Sequence, residues 1–264
     1  MPAVHFTLSR CRSGKTFICW LLTQYALYNG QVLKIYDLDP NFAISKFKAL
    51  QARQLNLQVK NDDGSIGYDF SQVVTIMKET YSDVIFDAPA ELFSLILNTF
   101  RKNDGELVKF LNKLDVKVVF HLPVSGGEYN KNEGIKCVNE VLTTITGVDC
   151  IVWLNHYPEP IFEENMTQNR LMNYFADKPS LKYIVDLPLL TSGENLTKDN
   201  DNLLLKQILS EKRIFGEILD PIHFKYAQEP SLNGVPVFVL TDYQIAFLRD
   251  EFDKAIQNVA EIAS

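Results

Sequence analysis

Short apolar runs closed by polar turns alternate along this chain with longer stretches of helical period. Val4–Leu8 reads as a short buried strand, and Lys15–Tyr28 follows as a helix that Gly30 ends. That helix carries Phe17, Ile18, Trp20, Leu21, Leu22, Tyr25 and Leu27, apolar nearly all round, which predicts burial on several sides. Val32–Tyr36 reads as a second strand and Asn41–Leu50 as a short helix. Leu55–Tyr68 contains Asn61-Asp62-Asp63-Gly64, a turn signal between two candidate edge strands. Ser71–Thr80 reads as a helix, and Val84–Phe86 as a third strand that ends at Asp87. Glu91–Arg101 and Glu106–Leu114 read as helices, and Val116–Leu122, Cys150–Leu154 and Lys182–Val185 as further strand candidates. Strands alternating with helices predict an α/β fold: a doubly wound, mostly parallel sheet with helices on both faces.

The polar stretch Thr191–Asn202 reads as a mobile loop. Residues 242–263 read as a last helix, with Ile245, Leu248, Phe252, Ile256, Val259 and Ile262 on one face. Its other face is acidic, with Asp242, Asp250, Glu251, Asp253 and Glu261. Membrane-surface helices are usually basic, so docking on the sheet or on a protein partner is the expected use.

Composition narrows the class. The chain has 264 residues, 46% of them apolar, with no repeat or low-complexity tract, so a single domain over 1–264 is expected. Cys11, Cys19, Cys137 and Cys150 form no CxxC pair, which predicts free thiols in a reducing, cytoplasmic setting. His5, His121, His156 and His223 show no metal-ligand spacing. Met1–Leu8 has no basic region followed by a long apolar run, so no secretory signal is expected, and no apolar stretch is long enough to predict a membrane span. The net charge of −7 argues against broad nucleic-acid coating, and Lys212-Arg213 and Lys225 are too few for a basic stripe.

The chemistry concentrates at strand ends. Ser9-Arg10-Cys11-Arg12-Ser13-Gly14-Lys15-Thr16 lies between the first strand and the first helix, where backbone N–H groups and a helix N-terminus can cradle phosphate. Gly14 permits close backbone approach, Lys15 reaches toward β/γ phosphates, and the Thr16 hydroxyl is placed to hold Mg²⁺. The match to GxxxxGK[ST] is incomplete, because Ser9 stands at the first glycine. Gly-Lys-Thr alone recurs by chance, and the plain alternative is an ordinary βα turn with a solvated lysine. Asp37-Leu38-Asp39-Pro40 ends the second strand, either to order Mg²⁺ and an attacking water or as an Asx-Pro turn. Asp87 ends the third, as a Walker-B type Mg²⁺ carboxylate, a helix N-cap, or both. Three such motifs at the carboxyl ends of successive strands mark the edge where open α/β sheets bind ligands. Asn155 ends a later strand, where the plain reading is a turn residue capping His156–Pro158. Gly126-Gly127 reads as a tight turn, and Trp153 as core.

These motifs resemble those of the ParA/MinD-like P-loop ATPases, whose deviant loop x-Lys-Gly-Gly-x-Gly-Lys-Thr is followed by Asp-x-Asp-Pro and Asp-x-Pro. The resemblance puts Arg10 at the signature lysine, Lys15 and Thr16 at the Walker lysine and hydroxyl, Asp39 at the carboxylate tied to hydrolysis, and Asp87 at the Walker-B carboxylate. Within that family the TraL/MobD-like conjugal-transfer branch is most similar, in Asp37-Leu38-Asp39-Pro40-Asn41 with Lys48-Ala49-Leu50, in His121-Leu122-Pro123-Val124-Ser125-Gly126-Gly127, and in Val152-Trp153-Leu154-Asn155-His156-Tyr157. The resemblance covers roughly residues 1–160 and, more faintly, the last helix. It implies ATP and Mg²⁺ as ligands, with the loop residues Arg10–Thr16 and Asn155 on the nucleotide, and Thr16, Asp39 and Asp87 around the metal. Lys15, Arg10 and Asp39 would serve any hydrolysis. It also implies a nucleotide-dependent homodimer and a protein partner in conjugal transfer. The alternatives are a degenerate, non-hydrolysing P-loop scaffold and a plasmid-partition ATPase. Cys11 and Arg12 replace two family glycines, which predicts slow or undetectable turnover with binding retained.

Overall fold

The computed structural model describes residues 1–28, 32–40, 44, 51–155, 161, 175, 178–187 and 237–239. The helix read over Asn41–Leu50, the loop at Thr191–Asn202, the helix at 242–263, and His156, His223, Lys212, Arg213 and Lys225 lie outside them, Ile44 apart. The described residues give, in chain order, β1 (Ala3–Thr7), α1 (Lys15–Tyr28), β2 (Leu33–Asp37), β3 (Arg53–Gln54), β4 (Gln58–Lys60), β5 (Ile66–Tyr68), α2 (Ser71–Lys78), β6 (Asp83–Asp87), α3 (Phe93–Lys113), β7 (Lys117–Ser125), α4 (Glu128–Thr144), β8 (Asp149–Asn155), β9 (Leu181–Leu187) and β10 (Val237–Val239). Eight strands form one sheet in the order β10-β9-β8-β7-β1-β6-β2-β3, and every pairing in it is parallel. This is the α/β, P-loop-type architecture that the alternating pattern predicts.

Side chains alternate across the strands, and the two faces are covered differently. Val4, Phe6, Val84, Phe86, Val118, Phe120 and Val152 build the larger core with α2, α3 and α4. Its centre is aromatic: Phe6 stacks on Phe86 at 4.8 Å between ring centroids and meets Phe120 and Phe100 edge-on. On the other face α1 packs against β1, β2 and β6 through Ile18, Cys19 and Leu22. Because α1 starts directly from the turn after β1, its N-terminus is fixed at the carboxyl edge of the sheet.

Several elements differ from the sequence pattern. The strands flanking Asn61–Gly64 are not edge strands of the main sheet: β4 and β5 pair only with each other, antiparallel, and β3 takes the edge beside β2. The run labelled α3 is two helices, as the pattern predicts: residues Lys102–Gly105 leave helical geometry between them, with Asn103, Asp104 and Gly105 at positive φ. Helix α4 was not read from the pattern, yet Gly134, Cys137, Val138, Val141 and Leu142 are buried at i, i+3, i+4, i+7 and i+8. Gly134 is what lets α4 lie close to β7: a Cβ there would stand 3.1 Å from Val124 Cα.

Candidate functional site

The phosphate-loop segment is a closed turn held from below. Leu8 N–H donates to the His121 carbonyl at 2.9 Å, extending the β1–β7 ladder one step before the chain turns. Ser13 N–H donates to the Cys11 carbonyl at 3.0 Å, and Lys15 Nζ donates to the same oxygen at 2.8 Å. The Asn155 amide, at the end of β8, donates to the Ser13 carbonyl at 3.1 Å. Gly14 adopts φ +91°, a conformation that favours glycine, and a Cβ on it would meet Asn155 Nδ2 at 2.7 Å, so Asn155 would have to shift. The first N–H groups of α1, which have no intrahelical partner, open beside this loop.

The acids predicted from the strand ends converge on the same edge. Register aligns Thr7, Asp87 and Asp37 across β1, β6 and β2. Thr7 Oγ1 donates to Asp87 Oδ1 at 3.2 Å, whereas Asp87 Oδ2 is buried with no hydrogen-bond partner among the described residues. Burial pushes the Asp87 carboxyl up to about 7; nearby Asp37 raises it further, and the Thr16 and Thr7 hydroxyls and Lys15 pull it down. Burial also lowers the Lys15 ammonium, against the attraction of Asp87, the Cys11 thiol, Glu91 and Asp39. Asp37 is fully buried and accepts the Asp39 N–H at 3.0 Å, so the Asx turn is present and its carboxylate still faces the site. Asp87 is no helix cap: neither the 3₁₀ turn Ala90–Leu92 nor α3 has a side-chain cap bond. A buried carboxylate oxygen left without a donor, next to a threonine hydroxyl and a second acid, fits a hard divalent cation such as Mg²⁺.

Arg10 and Cys11 have partners outside the loop. Arg10 turns to the α3/α4 side, where its guanidinium pairs with Glu140 at 2.7 Å and lies 4.4 Å above the Phe93 ring. Buried Cys11 points its Sγ at the Asn130 carbonyl of α4, 3.6 Å away, and at Ser9 Oγ, 3.2 Å away. Arg12 is exposed, and neither residue has a positive φ. The loop thus takes this shape without the two family glycines, and the Cys11 side chain is used against α4.

No family model matches the chain. Two Escherichia coli proteins called Protein TraL do, at 25% and 26% identity over 232 residues, covering 83% of this chain and 90% and 88% of theirs. The chain is similar to these TraL proteins over most of its length. Similar solved structures include the MinD cell division protein of Aquifex aeolicus, at 12% identity over 94% of this chain and 97% of that one, TM-score 0.40. Another is cell division protein FtsY of Thermotoga maritima, at 15% identity over 58% and 53%, TM-score 0.35. The resemblance to the TraL-type branch drawn from short strings is thereby borne out over most of the chain's length.

In this chain the structure brings Lys15, Thr16, Asp39 and Asp87 to one site and sets Asn155 beneath the loop. Three contacts escaped the sequence reading. Thr7 was visible as a polar position alternating within β1. The Ser125 hydroxyl, which donates to the Arg12 carbonyl at 3.4 Å, ends an apolar strand. Glu140 lies in the unread helix, so nothing local announced its partner.

Proposed function

We propose that this protein is a cytoplasmic, nucleotide-dependent switch of the ParA/MinD-like type that binds ATP with Mg²⁺ and serves plasmid conjugal transfer. The observation that carries this reading is the placement of Gly14-Lys15-Thr16 at the β1–α1 turn, with the unpartnered Asp87 oxygen buried beside it. Backbone N–H groups of Gly14 to Thr16 at the α1 terminus receive the phosphates, and Lys15 exchanges the Cys11 carbonyl for phosphate oxygen. Thr16 and Asp87 would hold Mg²⁺, directly or through water, and the cation supplies charge neutralisation between the terminal phosphates. Asp39, at the mouth of β2, orients water near the terminal phosphate. Loss of that phosphate frees the segments after Asp39 and Asp87, which gives the two states a switch requires.

The similarity to TraL proteins supports the transfer role, and the resemblance of the strand-end motifs to those of ParA/MinD-like ATPases supports a nucleotide-dependent dimer. Sedimentation velocity of the full chain with ATP-Mg²⁺, with ADP and without nucleotide tests the switch. A dimer that forms only with ATP-Mg²⁺ is expected; the same species under all three conditions favours the non-hydrolysing scaffold. No helix among the described residues is long and apolar enough to cross a membrane.

A further inference from the structure

The loop's first cation is held on the wrong side of the sheet for phosphate. Lys15 and Asp87 work on the α1 face, whereas Arg10 is drawn to the core side covered by α3 and α4. Two contacts dock the start of the loop along α4: Cys11 Sγ meets the Asn130 carbonyl, and the Arg10 guanidinium pairs with Glu140. Phe93, itself buried, supplies a ring face under the same guanidinium.

We propose that Glu140 is a positioning residue: with Phe93 it clasps Arg10 against α4 and so withholds that charge from the bound nucleotide. The proposal rests on the nucleotide-binding reading above. Arg10 is one residue from the loop's turn, and its long side chain can swing from Glu140 to a phosphate, for which guanidinium is a good partner. Swinging means breaking a partly exposed ion pair and a cation–π contact, both weak enough for a nucleotide to displace. The clasp therefore lowers ATP affinity without abolishing it, and α4 becomes the element through which a partner could set affinity: anything that draws Glu140 away releases Arg10.

Calorimetric titration of ATP-Mg²⁺ into the full-length wild type, Glu140→Gln, Glu140→Asp, Arg10→Ala and the Arg10→Ala/Glu140→Gln double variant tests this. Glu140→Gln should tighten ATP binding on the order of three- to tenfold, the displaced ion pair and ring contact setting the scale. Glu140→Asp, which keeps the charge, should stay near wild type. With Arg10 already alanine, Glu140→Gln should change nothing. Unchanged or weaker binding by a folded Glu140→Gln protein overturns the clasp, as does an equal gain in the Arg10→Ala background. If neither the wild type nor any variant binds ATP, the nucleotide-binding reading itself fails and the clasp falls with it.

Discussion

Replacing Asp87 by asparagine should make the nucleotide-free protein more stable while removing its capacity for Mg²⁺. The carboxyl is 1% exposed, and one of its oxygens has no donor among the described residues. Its folded value of about 7 lies above the ordinary carboxylate value, so the folded state binds this proton more tightly than the unfolded chain does. Stability from this group is therefore greatest in acid and is lost as pH rises from about 4 to about 7, after which the penalty is constant. Roughly three pKa units at 1.36 kcal/mol each give a ceiling of about 4 kcal/mol. Asparagine keeps the shape and removes the charge, but its amide must find an acceptor, so a gain of about 2–4 kcal/mol is expected near pH 8. For a chain of this size that raises Tm by roughly 4–16 °C. Urea unfolding of wild type and Asp87→Asn, without nucleotide or Mg²⁺, at pH values near 4.5, 6 and 8 measures it. The gain should shrink toward zero in acid. An Asp87→Asn protein less stable than wild type at pH 8, or a gain independent of pH, would refute the argument that the site stores an uncompensated charge.

Other predictions follow from the same geometry. Trp153 Nε1–H donates to His121 Nδ1 at 3.1 Å, so neutral His121 carries its proton on Nε2 and donates to His5 Nδ1 at 3.0 Å. Burial, and the neighbouring Lys117 against the opposing pull of Asp83, leaves His5 at about 4, and burial holds His121 well below its usual value. Lowered histidines stabilise above the unfolded value and lose that contribution as pH falls, so about 3 kcal/mol should disappear between pH ~6.5 and ~4. His5→Gln should flatten that slope in unfolding measurements. Turnover by the lone protein should be slow or undetectable in phosphate-release assays. Cys11→Gly/Arg12→Gly, which removes the Cys11 contact with α4 and bares the loop backbone, should speed turnover without greatly tightening ATP binding. Brisk wild-type hydrolysis abolished by Asp39→Ala would contradict the expected slow turnover.

What could be read from the sequence was local. The β1–α1 turn declared itself because Gly14-Lys15-Thr16 sits between an apolar strand and a helix apolar nearly all round. Asp37 and Asp87 declared themselves as acids closing apolar runs, and parallel register did the rest by aligning them with Thr7. Helix α4 was hidden behind the tight turn read at Gly126-Gly127; Gly134, inside it, is a packing residue against Val124. The partners of Arg10 were the least legible: Phe93 and Glu140 lie 83 and 130 residues along the chain, where no spacing rule reaches. The β4–β5 hairpin was legible as strands and turn, but which sheet they join depends on pairing partners that alternation does not name.

The central claim is that Ser9–Thr16 receives the phosphates of ATP, with Lys15 as its main charge. Calorimetric titration of ATP-Mg²⁺ into wild type and Lys15→Ala tests it most directly, with circular dichroism confirming that both are folded. Saturable one-site binding by the wild type, lost or severely weakened in Lys15→Ala, is the predicted result. Equal affinity in the two proteins, or no binding by the wild type, would contradict it.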